Sequence, residues 1–161
     1  MNQDNKKIAI VGNGPAGLMA AYELSSKGYS VDVFDKNPGF GRKLLIAGSS
    51  GLNIANIDEL EDFCQKIHYD ETSVNLKSHF EIYFTSQWLD FIKLKLKFKT
   101  FLGTSDRYFI EDMHSAKFVQ YWIELLVQNG VKFFKNKLLV DFEQDLNGKI
   151  KLIFEQETTD S

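Results

Sequence analysis

The segment from Lys7 to Tyr22, K-I-A-I-V-G-N-G-P-A-G-L-M-A-A-Y, sets a Gly-x-Gly-x-x-Gly turn between an apolar strand and a helix of small residues. That order dictates a strand that turns at once into a helix, the opening of a βαβ unit. A second apolar run, V-D-V-F-D, closes on Asp35, eighteen positions after Gly17. The interval is close to the ~20 residues that separate such a turn from a carboxylate gripping an adenosine ribose. Turn and acid together point to a dinucleotide, FAD or NAD.

Glycine is needed there because a pyrophosphate must reach backbone N–H groups at the positive end of a helix, and a Cβ would hold it off. Gly12 is expected to permit the tight turn out of the strand, Gly14 the approach of the phosphates, and Gly17 the close packing of helix on sheet. Pro15 suits the first helical position, where its missing N–H costs nothing. With Asn13 and Ala16, these residues form the candidate cradle. The competing reading is a glycine turn that only packs a βαβ unit.

Periodicity divides the rest of the chain. Lys7 to Gly12 reads as a strand, Pro15 to Lys27 as a helix stopped by Gly28, and Tyr29 to Asp35 as a second strand. The glycine- and serine-rich stretch from Asn37 to Asn56 reads as an ordered, ligand-contacting loop. Helical spacing follows from Asp58 to about His68 and from Val74 to Leu94, where Leu76, Phe80, Tyr83, Phe84 and Phe91 are candidate core and Gln87 is the polar exception. Lys93, Lys95, Lys97 and Lys99 alternate with Leu94, Leu96 and Phe98, the period of a strand with one wet face. Such a row could meet nucleic acid; the acidic net charge of -3 favours an edge strand charged against aggregation instead. T-F-L-G-T-S-D-R-Y-F-I predicts strand, turn and strand. Phe118, Tyr121, Trp122, Leu125 and Leu126 predict a helix ended by Gly130, Val131 to Phe134 a third strand, and Asn147-Gly148 the turn of a hairpin from Leu138 to Phe154.

The single cysteine, Cys64, excludes an internal disulfide and an all-cysteine metal site, and His68, His79 and His114 share no ligand interval with it. No metal site and no catalytic residue is assigned. No apolar run approaches the ~18 residues of a membrane span, and no leader pattern precedes the first strand, so a soluble, cytoplasmic protein is expected.

V-G-N-G-P-A-G-L-M-A-A, V-F-D-K-N and G-R-K-L-L-I-A-G-S-S-G-L-N-I-A-N together resemble the bacterial two-dinucleotide-binding-domain flavoproteins, the aminoacetone oxidase family or NAD(P)/FAD-dependent oxidoreductases. F-L-G-T-S-D-R-Y-F and Q-N-G-V-K-F are similar to that family's next blocks. The resemblance implies FAD held by Gly12, Gly14, Pro15, Ala16, Gly17, Asp35, Lys36, Arg42, Lys43, Gly48 and Asn53, with NAD(P)H a candidate electron donor. Arg42 and Lys43 offer charge-assisted donors to phosphate, and Asn53 an amide for flavin or ribose edges; the competing readings are solvated loop charge for Arg42 and Lys43 and a cap or strand end for Asp35. The chain departs from the family at Ser49-Ser50-Gly51-Leu52-Asn53, where many members have Gly-Gly-Arg-Cys-Asn. Asp106 and Ile110 stand where glycine and proline are common.

The expected fold is α/β: a Rossmann-like FAD-binding βαβ with a parallel sheet, plus a β-hairpin and a helical insertion. One partial FAD/NAD(P)-binding domain is expected over residues 1–161, with a βαβ core 7–36, an FAD loop 37–56, a helical and strand insertion 57–112, and a helix, strand and hairpin over 113–155. The polar ending E-Q-E-T-T-D-S falls where a doubly wound sheet would continue, and family members are much longer, so a truncated sheet is expected. A separate chain could then supply the missing part. The functional expectation is the FAD-binding N-terminal part of an NAD(P)/FAD-dependent oxidoreductase; the alternative is a dinucleotide-binding module without redox turnover. The substrate is open, and neither nucleic acid nor membrane is an expected partner.

Overall fold

The computed structural model describes residues 7–48, 51–66, 80, 84–111 and 114–155. In chain order the elements are β1 (Lys7–Val11), α1 (Pro15–Ser26), β2 (Ser30–Phe34), α2 (Arg42–Ala47), β3 (Asn53–Asn56), α3 (Leu60–Lys66) and α4 (Thr85–Asp90). A π-helical turn (Phe91–Lys95) follows, then β4 (Thr100–Leu102), β5 (Arg107–Ile110), α5 (Ser115–Gln128), β6 (Lys132–Phe134), β7 (Leu139–Gln144) and β8 (Ile150–Phe154). They fall into two compact units, residues 1–45 with 119–161 and residues 46–118.

The first unit is built on a three-stranded sheet in the order β1-β2-β6, with both pairings parallel. β2 is central and its sequence shows it: Val31, Asp32 and Val33 are all buried. Leu18 and Ala21 of α1, Val119, Trp122 and Leu126 of α5, and Val131 complete this unit's core. Each such large apolar side chain contributes about 1.5–3 kcal/mol when fully buried. Gly28 ends the turn after α1 at φ 85°, and Gly130 the turn after α5 at φ 84°, a conformation that costs a Cβ-free residue least. β7 and β8 form an antiparallel hairpin whose Phe154 ring lies 4.8 Å from that of Phe34 in β2. Gly148 takes φ 77° in the hairpin turn, and the Asp145 carboxylate accepts from the amides of Asn147 at 2.9 Å and Lys149 at 2.8 Å. Among the described residues, β1 borders no strand but β2.

The second unit holds an antiparallel sheet in the order β3-β5-β4. Its core is Leu52, Phe91, Ile92, Leu96, Phe98, Ile110 and Phe118. The Trp88 indole N–H donates to the Ile54 carbonyl at 2.8 Å and so ties α4 to β3. Gln87, the polar residue on an otherwise apolar helical face, is exposed and caps α4: its Oε1 accepts from the Phe84 amide at 3.0 Å.

Two expectations are corrected. The lysine row from Lys93 to Lys99 is not a strand. Phe91 to Lys95 is a π-helical turn closed by the Leu96 amide donating to the Phe91 carbonyl at 3.2 Å, and Lys97 sits at φ 62°. Burial agrees: Leu94 is 56% exposed while Leu96 and Phe98 are buried, so the apolar members of the row do not share one strand face. The stretch from 37 to 56 is not all loop either, since it contains α2 and β3. Its glycines mask a short helical run, R-K-L-L-I-A, and β3 is held by pairing with β5. The helical readings over 67–79 and 81–83, with His68, Leu76, His79 and Tyr83, and the positions of Ser49 and Ser50 lie outside the described residues.

Candidate functional site

At the end of β1 the chain turns at Gly12, whose φ of 104° is open to glycine alone without strain, and whose amide donates to the Phe34 carbonyl at 2.7 Å. A Cβ on Gly17 would overlap the Gly12 carbonyl oxygen and stand 3.5 Å from Ile10, so α1 can start this close to β1 only with glycine there. A Cβ on Gly14 would meet nothing within 4 Å. The space before it is an open cleft. Gly14 is the N-cap of α1, Pro15 its first residue, no side chain caps it, and the first turn carries no acid. The first amides of a helix have no partner inside it, so Ala16 and Gly17 present N–H groups at the positive end of the helix.

The carboxylate of Asp35 follows β2. Its Oδ2 accepts from the Asn13 amide at 2.8 Å, and its Oδ1 from the Asn37 amide at 2.7 Å and the Asn37 side-chain amide at 2.9 Å. Partial burial pushes its pKa up, but these donors and the Lys36 charge outweigh burial and hold it below the ordinary 3.8. Asp35 is therefore an anion at neutral pH. Its backbone joins the strand ends: the Asp35 amide donates to the Phe134 carbonyl and the Lys137 amide to the Asp35 carbonyl, each at 2.9 Å.

These groups open on one cleft of about 560 Å³ at the carboxyl ends of β1 and β2. It is lined by the turn from Gly12 to Gly17, by Asp35, Lys36, Arg42 and Lys43, and also by Val11, Asn37 and the run Lys137 to Leu139. Ten of the residues singled out by sequence thus face one space: Gly12, Asn13, Gly14, Pro15, Ala16, Gly17, Asp35, Lys36, Arg42 and Lys43. Gly48, buried after α2, and Asn53, exposed at the start of β3, do not line it and belong to the second unit. Asn37 opens the stretch expected to contact ligand, though it was not singled out; Lys137 to Leu139 were missed. The signal for Lys137 to Leu139 was topological: they follow the third parallel strand, and ligands of such sheets gather at the carboxyl ends of the strands.

Residues 6–161 match the family described as the HI0933-like protein Rossmann domain. The chain belongs to the HI0933-like protein Rossmann domain family. Shorter stretches are similar to characterised proteins. One is 41% identical over 58 residues to the ribosomal RNA dihydrouridine synthase of Haemophilus influenzae, covering 36% of the chain and 14% of that protein. Another is 47% identical over 47 residues to the NADPH-Fe(3+) oxidoreductase subunit beta of Geobacter sulfurreducens, covering 29% of the chain and 7% of the relative. Among solved structures, a 3-ketosteroid-delta4-(5alpha)-dehydrogenase from Rhodococcus jostii aligns with 98% of the chain and 44% of its own length, at a TM-score of 0.66 and 11% identity. Thermovibrio ammonificans THI4 aligns with 91% of the chain and 45% of its own length, at a TM-score of 0.53 and 20% identity. At those identities the likeness is one of fold. This HI0933-like chain spans less than half the length of each of these proteins.

Proposed function

We propose that the chain forms the FAD-binding part of an NAD(P)/FAD-dependent flavoprotein oxidoreductase, with the FAD pyrophosphate on the Gly12–Gly17 turn and the adenosine ribose on Asp35. One observation carries this reading: an uncapped helix N-terminus and an ionised carboxylate open on the same cleft. The site fits the group. The side of Gly14 is bare, the volume lies within the range of cofactor sites, and Val11, Leu138 and Leu139 give apolar wall for a flat base. The amides of Ala16 and Gly17 would meet phosphate oxygens, Arg42 and Lys43 would add charge-assisted donors, and Asp35 would accept from ribose hydroxyls. FAD is favoured over NAD by Arg42 and Lys43, a second phosphate-directed group beside the glycine turn, and by family membership. When bound, the isoalloxazine supplies the electron acceptor, and the protein supplies orientation and electrostatics.

NAD(P)H as electron donor is supported by the name of the Geobacter relative, an NADPH-dependent oxidoreductase subunit. The proposal rests on the cleft residues of the first unit and does not draw on Gly48 and Asn53, which do not line that cleft. Redox turnover belongs to a whole protein in which further polypeptide, in the same chain or a separate one, completes the flavin site. Among the described residues no helix is long and apolar enough to cross a membrane, and a cytoplasmic setting is proposed. Titration with FAD, ADP and NAD, followed by flavin absorbance and fluorescence, tests the reading. FAD binding tighter than NAD is expected, with flavin bleaching by NAD(P)H in the completed protein. Purified protein that neither carries nor takes up flavin overturns it; binding without bleaching leaves the module without turnover.

A further inference from the structure

Asn13 stands at the first variable position of the glycine turn, yet its side chain does not point into the cleft as a free group. It is 4% exposed and spends its polar atoms on the loop beyond Asp35: Nδ2 donates to the Gly39 carbonyl at 3.0 Å, and Oδ1 accepts from the Gly41 amide at 3.2 Å. Its own amide donates to Asp35. One residue thereby joins the phosphate turn, the ribose acid and the loop that leads into Arg42. Gly41 is held from the other side as well, at φ 56°, where a Cβ would come 2.9 Å from both methyls of Val119. Phe40 between them packs edge-on to Phe133 at 5.1 Å and lies under the Lys135 ammonium at 4.1 Å.

We infer that Asn13 is a positioning residue for the adenosine end of the cleft: it fixes the 39–41 turn against the glycine turn, so that Arg42 and Lys43 are presented toward the bound diphosphate. The physical ground is satisfaction of buried polar groups. The Gly41 amide is buried, and Asn13 Oδ1 is its hydrogen-bond acceptor; without it the loop must open to water to satisfy that donor. Among the described residues neither cation is itself fixed by a strong contact: Arg42 Nη1 lies 3.5 Å from Asn37 Oδ1, at the limit of a hydrogen bond. Their placement is inherited from the turn that precedes them.

The inference rests on FAD as the occupant, and the test separates the two. In the ligand-free protein, amide exchange at Gly41 should be slow, and Asn13→Ala should raise it at least ~10-fold. Binding of FAD and ADP should weaken by about 10- to 100-fold in Asn13→Ala, the worth of one or two buried hydrogen bonds. A double-mutant cycle with Lys43→Ala supplies the readout that a merely structural role would not move. Lys43→Ala should cost affinity in the parent and less than about 2-fold in the Asn13→Ala background, because the cation is no longer presented. Gly41→Ala, which displaces the same turn from the Val119 side, should reproduce that loss of coupling and serves where Asn13→Ala does not fold. Additive effects in both cycles, or a Gly41 amide that exchanges as fast as exposed loop amides in the parent, overturn the inference. Slow Gly41 exchange in a protein that binds no FAD overturns the FAD reading and leaves the clamp standing.

Discussion

At the level of single residues, the three glycines of the turn do different work, and substitutions should separate them. Gly17→Ala drives a Cβ into the Gly12 carbonyl and is expected to lower stability by about 1–3 kcal/mol in a urea melt. Gly14→Ala meets open space; it should leave stability within about 1 kcal/mol but weaken FAD binding at least ~10-fold by occupying the approach of the phosphates. Equal effects of the two on stability would contradict this division. Asp35 has a folded-state pKa below its ordinary 3.8, so its stabilising contribution is complete above that value and is lost as pH falls through the lowered one. The destabilisation of Asp35→Asn relative to the parent should therefore be full at neutral pH and shrink below pH 3.8 in an acid titration followed by circular dichroism. Its FAD affinity should fall by about 10- to 100-fold, as for a lost hydrogen bond to a charged group. The other acid of V-D-V-F-D, Asp32, is not available to the cleft: it lies inside the sheet, paired at 2.6 Å with Lys7. No sequence pattern marked Asn13 as a clamp rather than a ligand contact, because its partners, Gly39 and Gly41, lie 26 and 28 residues away.

At the level of elements, local signals succeeded where one face of a strand or helix met one environment. The βαβ opening, α5 and the β7-β8 hairpin all follow from periodicity and turn chemistry, since a buried stripe and a left-handed glycine are written in consecutive residues. The lysine row failed for a specific reason. Period two was present in the letters, but the buried pair Phe91 and Ile92 just before it sets a helical phase, and Lys97 absorbs the change of direction at φ 62°. A related strain is testable in the turn between β4 and β5, where Asp106 holds φ 56°, a conformation that glycine adopts without penalty. Asp106→Gly should stabilise the second unit by up to about 1 kcal/mol, the left-handed penalty relieved less the added chain entropy of glycine. A lower denaturation midpoint in this variant would show that the aspartate side chain stabilises the turn by more than its backbone strain costs.

For the molecule as a whole, the described residues that line the cleft all belong to the first unit, at the ends of its parallel strands and the starts of α1 and α2. Ligand binding should therefore be felt as folding free energy: FAD at 100 times its dissociation constant is expected to raise stability by about 2.7 kcal/mol, and a ~10-fold weaker Gly14→Ala should lose about half of that gain, or more, at the same FAD concentration. A thermal shift series with FAD, ADP and NAD measures it, and identical shifts for parent and variant would contradict the site. The amino-acid sequence by itself determined the nucleotide-binding character of this chain, because a helix N-terminus bared by glycine and an acid one strand later are local features, each encoded within a few residues. The tertiary structure alone decided that Lys137 to Leu139 wall the same cleft, that Asn13 serves the loop, and that Gly48 and Asn53 fall in the other unit. Those facts depend on which distant backbone segments come within hydrogen-bonding reach, and that is set by packing across the sheet rather than by any periodicity along the chain.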